Sequence, residues 1–225
     1  MAIGDKEEYR RAGQMPTEKE RNEALKISRG ARTRHELARV FGVTFNKHLV
    51  YYLYRLPIER RYVSFTVNKR TGGTRIISSP ATGLKTAQRR LSKLLYAIYE
   101  PRKGVHGFAI GRGITTNAEA HVRQNHVLNI DLEDFFVSIN FGRVRGLFLA
   151  EPFKLPTPIA TLLAQICCHE NKLPQGAPTS PIISNMICGR MDGQLKAFAN
   201  RNGCFYTRYA DDITFSTRQG LFLLN

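Results

Sequence analysis

Three carboxylates in this chain have neighbours that suggest chemistry. Asp211 and Asp212 are adjacent, preceded by Cys204, Phe205, Tyr206 and Thr207 and followed by Ile213 and Phe215 in alternation. That pattern predicts strand, turn, strand, with both carboxylates at the tip. Neighbouring aspartates repel each other, so a pair held at a hairpin tip points to a cation there, although an Asp-rich turn is also an ordinary way to reverse a chain. Val127-Leu128-Asn129-Ile130-Asp131 weighs against the ordinary turn, because it is a second short apolar strand that ends on a carboxylate. Two strands that deliver aspartates to one end of a sheet can hold a pair of Mg²⁺ ions, an arrangement suited to in-line phosphoryl transfer.

The elements that must position these residues follow from periodicity. Thr17 with Glu20 and Thr33 with Glu36 are capping-box signatures, predicting helices over 17–28 and 33–41, the second stopped by Gly42. A third helix is expected over 45–54. Its Tyr51-Tyr52-Leu53-Tyr54 cluster, beside Arg55, Arg60 and Arg61, packs in a core or stacks on bases. From Tyr62 the period changes to two: Val63, Phe65 and Val67 alternate with polar residues, Gly72-Gly73 turns the chain, and Arg75-Ile76-Ile77 returns, a β-hairpin with a basic tip that includes Lys69. Leu84, Ala87, Leu91, Leu94, Leu95 and Ile98 then mark a basic amphipathic helix. Gly111-Arg112-Gly113 is weak evidence by itself, since glycines admit a phosphate or simply make turns. Asn117 is a candidate helix N-cap, with His121 a turn later on the same face. Further helices are expected over 141–150, 158–169 and 182–199, the last with Ile183, Met186, Ile187, Met191 and Leu195 inward. Cys167, Cys168, His169 and Glu170 are metal-capable types, but consecutive positions on a helix cannot converge on one ion.

Composition narrows the partners. Thirty-four Lys and Arg against 18 Asp and Glu leave a net charge of +16, and the pI is about 10.1, which calls for a polyanion. No apolar run approaches the ~20 residues that span a bilayer and the N-terminus lacks a signal peptide's apolar core, so nucleic acid is favoured over membrane. Four cysteines without a Cys-x-x-Cys suggest neither a disulfide framework nor a zinc site, and fit a reducing cytoplasm. Residues 1–16 are polar, charged and aperiodic, and are expected to form a frayed tail or one ordered by a partner.

Three stretches, in order along the chain, carry a family resemblance: Asp131 with Phe136 five residues later, Leu173-Pro174-Gln175-Gly176-Ala177-Pro178-Thr179-Ser180-Pro181, and Tyr209-Ala210-Asp211-Asp212. They resemble motifs A, B and C of a reverse transcriptase palm, and the likeness covers most of the chain from about Arg61. His106-Gly107-Phe108 followed by Asn117-Ala118-Glu119-Ala120-His121 resembles the segment that marks retron reverse transcriptases among bacterial relatives. The resemblance implies an α+β right-hand polymerase, with an antiparallel palm sheet packed on helices. Its expected divisions are an N-terminal helical extension over 1–60, fingers over 61–125, and an incomplete palm over 126–225. The implied activity is RNA-directed DNA synthesis, extending a primer 3′-hydroxyl by two-metal-ion nucleotidyl transfer. Asp131 and Asp211 would bind two Mg²⁺ with Asp212 in support, Arg75 and more loosely Lys69 would grip the triphosphate, and Phe136 would crowd a ribonucleotide's 2′-hydroxyl. Gln175 and Gly176 would line the template and nucleotide, while Arg112, Asn117 and His121 are candidate RNA contacts. Implied partners are a structured non-coding RNA as template and primer, its DNA product, dNTPs and a retron effector protein of antiviral defence, with no membrane.

Competing readings are an RNA-dependent RNA polymerase, against which the aromatic at 136 argues, a group II intron-like or phage-defence reverse transcriptase, and a catalytically impaired RNA-binding fragment. Residues 218–225 are all that follow the aspartate hairpin, too few for the thumb of the family. Leu221, Phe222, Leu223 and Leu224 there make an apolar terminus suited to packing on another element. The expectation is that the chain alone binds RNA in a salt-dependent, weakly specific way and extends primers by short additions.

Overall fold

Capping sets where the chain first becomes helical. In the computed structural model, which describes residues 16–40, 49–68 and 72–219, helix α1 spans Glu18–Gly30 behind a complete capping box. The Thr17 amide donates to the Glu20 carboxylate at 2.8 Å, and the Glu20 amide donates back to Thr17 Oγ1 at 3.3 Å. Thr33 and Glu36 repeat the device before α2, Arg34–Val40. The expected third helix is replaced, where it is described, by a π-helical turn at Tyr51–Arg55, and positions 41–48 lie outside the described residues. Core packing is corrected for two of its three tyrosines, while Tyr52 is half-buried with its ring against Gly83. The wide turn points Leu53 inward, leaving Tyr51 45% and Tyr54 48% exposed, with Tyr54 Oη donating to Gln165 Oε1 at 2.7 Å.

A short helix α3, Ile58–Arg61, leads into the hairpin of β1, Tyr62–Asn68, and β2, Thr74–Pro80, paired antiparallel with Val67 opposite Arg75. Gly72 and Gly73 both take positive φ in its turn, a conformation that only glycine adopts without strain. Helix α4, Thr82–Ile98, buries Leu84, Ala87, Leu91, Leu95 and Ile98, as its pattern predicts. Its buried Gln88 donates to both Tyr62 Oη and the Ile166 carbonyl, tying α4 to the start of β1 and to α7, Thr157–Cys167. Tyr62 in turn stacks on His169 at 4.2 Å between ring centres.

Two compact units result, and they interleave along the sequence. One gathers Thr17–Ile98 and Asp134–Ser184, including the hairpin, α1 to α4, α6 at Phe141–Leu149 and α7. The other gathers Tyr99–Glu133 and the described part of Asn185–Asn225. It holds α5, Ile114–Glu119, and a three-stranded antiparallel sheet in the order β3, His126–Asp131; β5, Asp212–Thr217; β4, Phe205–Tyr209. Helix α8, Ser180–Arg201, begins in the first unit and continues through the second. The whole is an α+β fold, and no described helix is long and apolar enough to cross a membrane.

The second unit's sheet has two unlike faces. Tyr206, Ile213 and Phe215 form an apolar cluster with Ala199 of α8, flanked by Met191 and Leu195. On the opposite face sit Thr207, Thr214 and Ser216, polar yet buried. β3 keeps Leu128 and Ile130 about two-fifths exposed, because β3 lies at the margin of the described sheet. The inner line of α8 also departs from expectation: Met186 and Ile187 are only half-buried, whereas the polar Asn185 and Asp192 are fully buried beside Ile183 and Cys188.

Candidate active site

Strand register brings the predicted carboxylates to one end of the sheet. Asp131 closes β3 directly opposite Asp212, the first residue of β5, and Tyr209 pairs with Asp212 from the other side. Ala210 and Asp211 are therefore a two-residue turn, with Ala210 in the left-handed region at φ 58°. The Leu132 amide donates to the Asp211 carbonyl at 3.1 Å, fastening the end of β3 to this turn. Residues directly opposite on antiparallel strands have Cβ atoms roughly 5 Å apart, so Asp131 and Asp212 are forced neighbours. Asp212 responds as a crowded carboxylate should. Partial burial, then the charges of Asp211 and Asp131, push its pKa above the usual aspartate value.

Among the described residues, no set of three or more His, Cys, Asp and Glu side chains is gathered closely enough to hold a metal ion as it stands. The donor chemistry nonetheless fits hard divalent cations: carboxylate oxygens only, accessible to solvent, and mutually repulsive without a counter-charge. A measurable consequence follows from the direction of the Asp212 shift. A raised folded-state pKa means that the stabilising contribution is full below the unfolded value near 3.8 and is lost as pH rises through the folded one. At neutral pH without divalent ions Asp212 is thus a net burden, and Asp212→Asn is expected to raise Tm by about 1–2 °C in chelator, given how far solvent screens this largely exposed group. Thermal melts with and without Mg²⁺ check this. An unchanged or lower Tm in chelator would show that the carboxylates are not in electrostatic conflict.

The other predicted residues fall into two groups. Arg75, Phe136, Gln175 and Gly176 belong to the unit that holds the hairpin. There the Ser78 amide donates to the Gln175 carbonyl at 2.7 Å, and Gly176, at φ 119°, lies so close to β2 that an added Cβ would sit 2.8 Å from Ile77 Cγ2. The Gln-Gly loop is thereby seated on the strand that carries exposed Arg75. Phe136 is half-buried, its ring edge-on to Phe135 at 5.2 Å. Lys69 lies outside the described residues.

Arg112, Asn117 and His121 belong to the unit with the aspartates. Arg112 Nη1 donates to the carbonyls of Val105 at 2.6 Å and Lys103 at 3.2 Å. His121 is hydrogen-bonded through Nδ1 to Ser216 Oγ at 2.6 Å and through Nε2 to Thr207 Oγ1 at 2.7 Å, which explains how the polar face of the sheet tolerates burial. Burial, then Lys196, lowers the pKa of this imidazole and favours its neutral form. The N-cap reading of Asn117 is corrected: Gly113 caps α5 and Asn117 lies inside it, because Thr116 Oγ1 already accepts from the Gly113 amide.

Comparison with known proteins supplies the family. The family described as reverse transcriptase (RNA-dependent DNA polymerase) matches residues 67–220, which include every carboxylate of the site. The chain belongs to the reverse transcriptase family. It is 40% identical over 205 residues to the retron Mx65 reverse transcriptase of Myxococcus xanthus, covering 82% of this chain and 47% of that protein. It is 38% identical to the retron Mx162 reverse transcriptase of the same organism, over 80% of this chain and 41% of that protein. Identity to the retron Ec86 reverse transcriptase of Escherichia coli is also 38%, over 70% and 49% of the two chains. The chain spans about half the length of the curated relatives it matches. Members of the family generally use divalent metal ions.

What sequence reasoning missed is the support beneath the turn. Residues 104–107 run parallel to β4: the Arg208 amide donates to the Gly104 carbonyl at 2.7 Å, and the His106 amide donates to the Arg208 carbonyl at 2.9 Å. Below them Arg208 is fully buried against Asp192 and Asn185 of α8. The available signal was a charged Asp192 on a helix whose neighbours are mostly apolar or small, together with an Arg208 at an inward position of β4.

Proposed function

We propose that the chain carries the nucleotidyl-transfer centre of a retron-type RNA-directed DNA polymerase. One observation supports this reading above the others: Asp131 and Asp212 are cross-strand partners, with Asp211 in the adjoining two-residue turn. Two Mg²⁺ ions bound by Asp131 and Asp211, with Asp212 in support, would supply the positive charge that activates a primer 3′-hydroxyl and steadies a departing pyrophosphate. The residues of the chain do the rest. The carboxylates fix where that charge sits, and Arg75 presents a guanidinium to the triphosphate. The Gln175–Gly176 loop, seated on β2, offers a surface with few side chains to the template base and incoming nucleotide. Phe136 presents an aromatic ring to the nucleotide's sugar. Template, primer and product would be a structured non-coding RNA and its DNA copy, the substrates dNTPs, the compartment the cytoplasm, and the physiological setting defence with an effector protein. The +16 charge suits such a partner.

The test is incorporation of labelled dNTPs on an RNA template with an annealed primer, together with sequencing of nucleic acid that copurifies. RNA-templated DNA synthesis and a branched RNA–DNA species are the expected results. DNA synthesis with no preference for a cognate structured RNA would remove the retron assignment and keep the polymerase. Phe136→Val probes the sugar selectivity separately: it is expected to narrow dNTP over rNTP preference by about 10- to 100-fold, the range available to a steric hydroxyl filter. Single-nucleotide incorporation measures this, and an unchanged ratio places the filter elsewhere.

A further inference from the structure

Arg208 is an unusual residue to find under a catalytic turn. It is 0% exposed, and it meets Asp192 with two contacts, Nε to Oδ1 at 2.7 Å and Nη2 to Oδ2 at 2.9 Å. Burial works against its charge, yet the hydrogen bonds and the charge of Asp192 carry its pKa above the ordinary arginine value. The rest of the fork reaches outward. Nη1 donates to the Ala210 carbonyl at 2.8 Å and Nη2 to Asn185 Oδ1 at 3.1 Å. Asn185 Nδ2 then donates to the carbonyls of Gly107 at 2.9 Å and Phe108 at 3.1 Å, while Tyr206 Oη donates to Asp192 Oδ1 at 2.8 Å.

Ion pairs of this kind are weak sources of stability, because desolvating two charges offsets much of their attraction. What they do well is fix direction. The Ala210 carbonyl belongs to the peptide group whose amide is that of Asp211, and Ala210 itself is held at φ 58°, a conformation that alanine does not keep unless its surroundings impose it. The two-residue hairpin loop calls for it, and the Arg208 hydrogen bond to the Ala210 carbonyl braces it from below. We propose that Arg208 is a positioning residue for this site: the Asp192–Arg208–Asn185 latch aims the Ala210–Asp211 peptide, and so sets where the Asp211 carboxylate meets divalent cations. The inference rests on the proposed polymerase reading, and it assigns to the latch the role that partners behind metal ligands play elsewhere.

The experiment uses Arg208→Lys, which keeps the charge but cannot reach Asp192 with two parallel donors while also holding Ala210. Three quantities are read on the purified protein: the Tm in chelator, the rise in Tm on adding Mg²⁺ or Mn²⁺, and kcat with KM for dNTP across a Mg²⁺ titration. The expected result is a folded protein whose Mg²⁺ half-saturation rises about 10-fold in both the melting and the kinetic titrations. Its kcat should fall about 10- to 100-fold, with KM for dNTP nearly unchanged. A folded Arg208→Lys with parental Mg²⁺ dependence and kcat overturns the proposal. So does a loss of rate that merely follows the loss of Tm and returns on cooling. Should Arg208→Lys not fold, Asp192→Asn, which keeps the shape and one acceptor, is read the same way, and failure of both to fold assigns the latch to stability alone and overturns the proposal. Asp211→Asn in parallel separates the two layers. If it retains synthesis, the polymerase reading of these aspartates fails; if it loses synthesis and the metal-induced Tm rise while Arg208→Lys keeps both, only the latch fails.

Discussion

Asp211→Asn is expected to reduce DNA synthesis by on the order of 10³-fold or more while leaving folding and RNA retention close to the parent. The size follows from the chemistry, since metal-borne charge at a phosphoryl transfer contributes several kcal/mol and each 1.36 kcal/mol is about tenfold in rate. The selectivity follows from position. Asp211 lies in the turn between β4 and β5, and the hydrogen bond that fastens this turn to β3 uses its backbone carbonyl, which the substitution keeps. Exchanging carboxylate for amide also removes one of the like charges that raise the Asp212 pKa, so the chelator Tm should hold or rise slightly. Primer extension and filter retention of RNA on one preparation measure both arms. Appreciable extension by the variant would remove Asp211 from the chemistry, and a parallel loss of RNA binding would mean that the substitution had disturbed more than one carboxylate.

The aspartates were legible in the sequence because short-range pattern fixes them: alternation in Phe205–Tyr209 and Asp212–Thr217 leaves two residues for the turn, and the β3 pattern ends on Asp131. Thr17 with Glu20, Gly72-Gly73, and the apolar stripe of α4 were legible for the same reason, each being a local rule applied over a few residues. The support under the turn was not. Arg208 and Asp192 find each other across 16 positions, and only the sheet's packing on α8 makes a charged pair the correct filling for that space. Asn185 and Asp192 displaced the expected Met186 and Ile187 from the inner line of α8, since a buried guanidinium needs oxygen partners more than the helix needs a uniform apolar stripe. His121 was read from its motif, but which atoms it meets depends on Thr207 and Ser216 lying on one face of strands far along the chain. Residues 104–107 are too few and too rich in glycine to show a strand period, so their pairing with β4 is visible only in three dimensions.

That pairing makes Gly107→Ala a damaging small substitution. A Cβ built on Gly107 would stand 2.1 Å from the Ala210 amide nitrogen, 2.8 Å from the Tyr209 carbonyl carbon and 3.0 Å from Tyr209 Cα. All three are backbone atoms, of the last residue of β4 and the first of the turn, so no rotamer change can make room. Either residues 104–107 withdraw and give up the His106–Arg208 hydrogen bond, or the turn moves and carries Asp211 with it. Overpacking of this kind costs about 1–3 kcal/mol. Displacing a reacting group by about 1 Å costs about 100-fold in rate, so synthesis should fall further than stability alone explains. Gly83→Ala is the control: its Cβ would also meet an atom at 2.1 Å, but that atom is Cε2 of the Tyr52 ring, and a ring can swing aside. Thermal melts and primer extension on both variants, assayed well below the lower Tm, distinguish the two kinds of clash. Gly83→Ala should keep synthesis near the parental rate, whereas Gly107→Ala should lose most of it while still folded. Parental synthesis by a folded Gly107→Ala would mean that the loop does not buttress the aspartate turn.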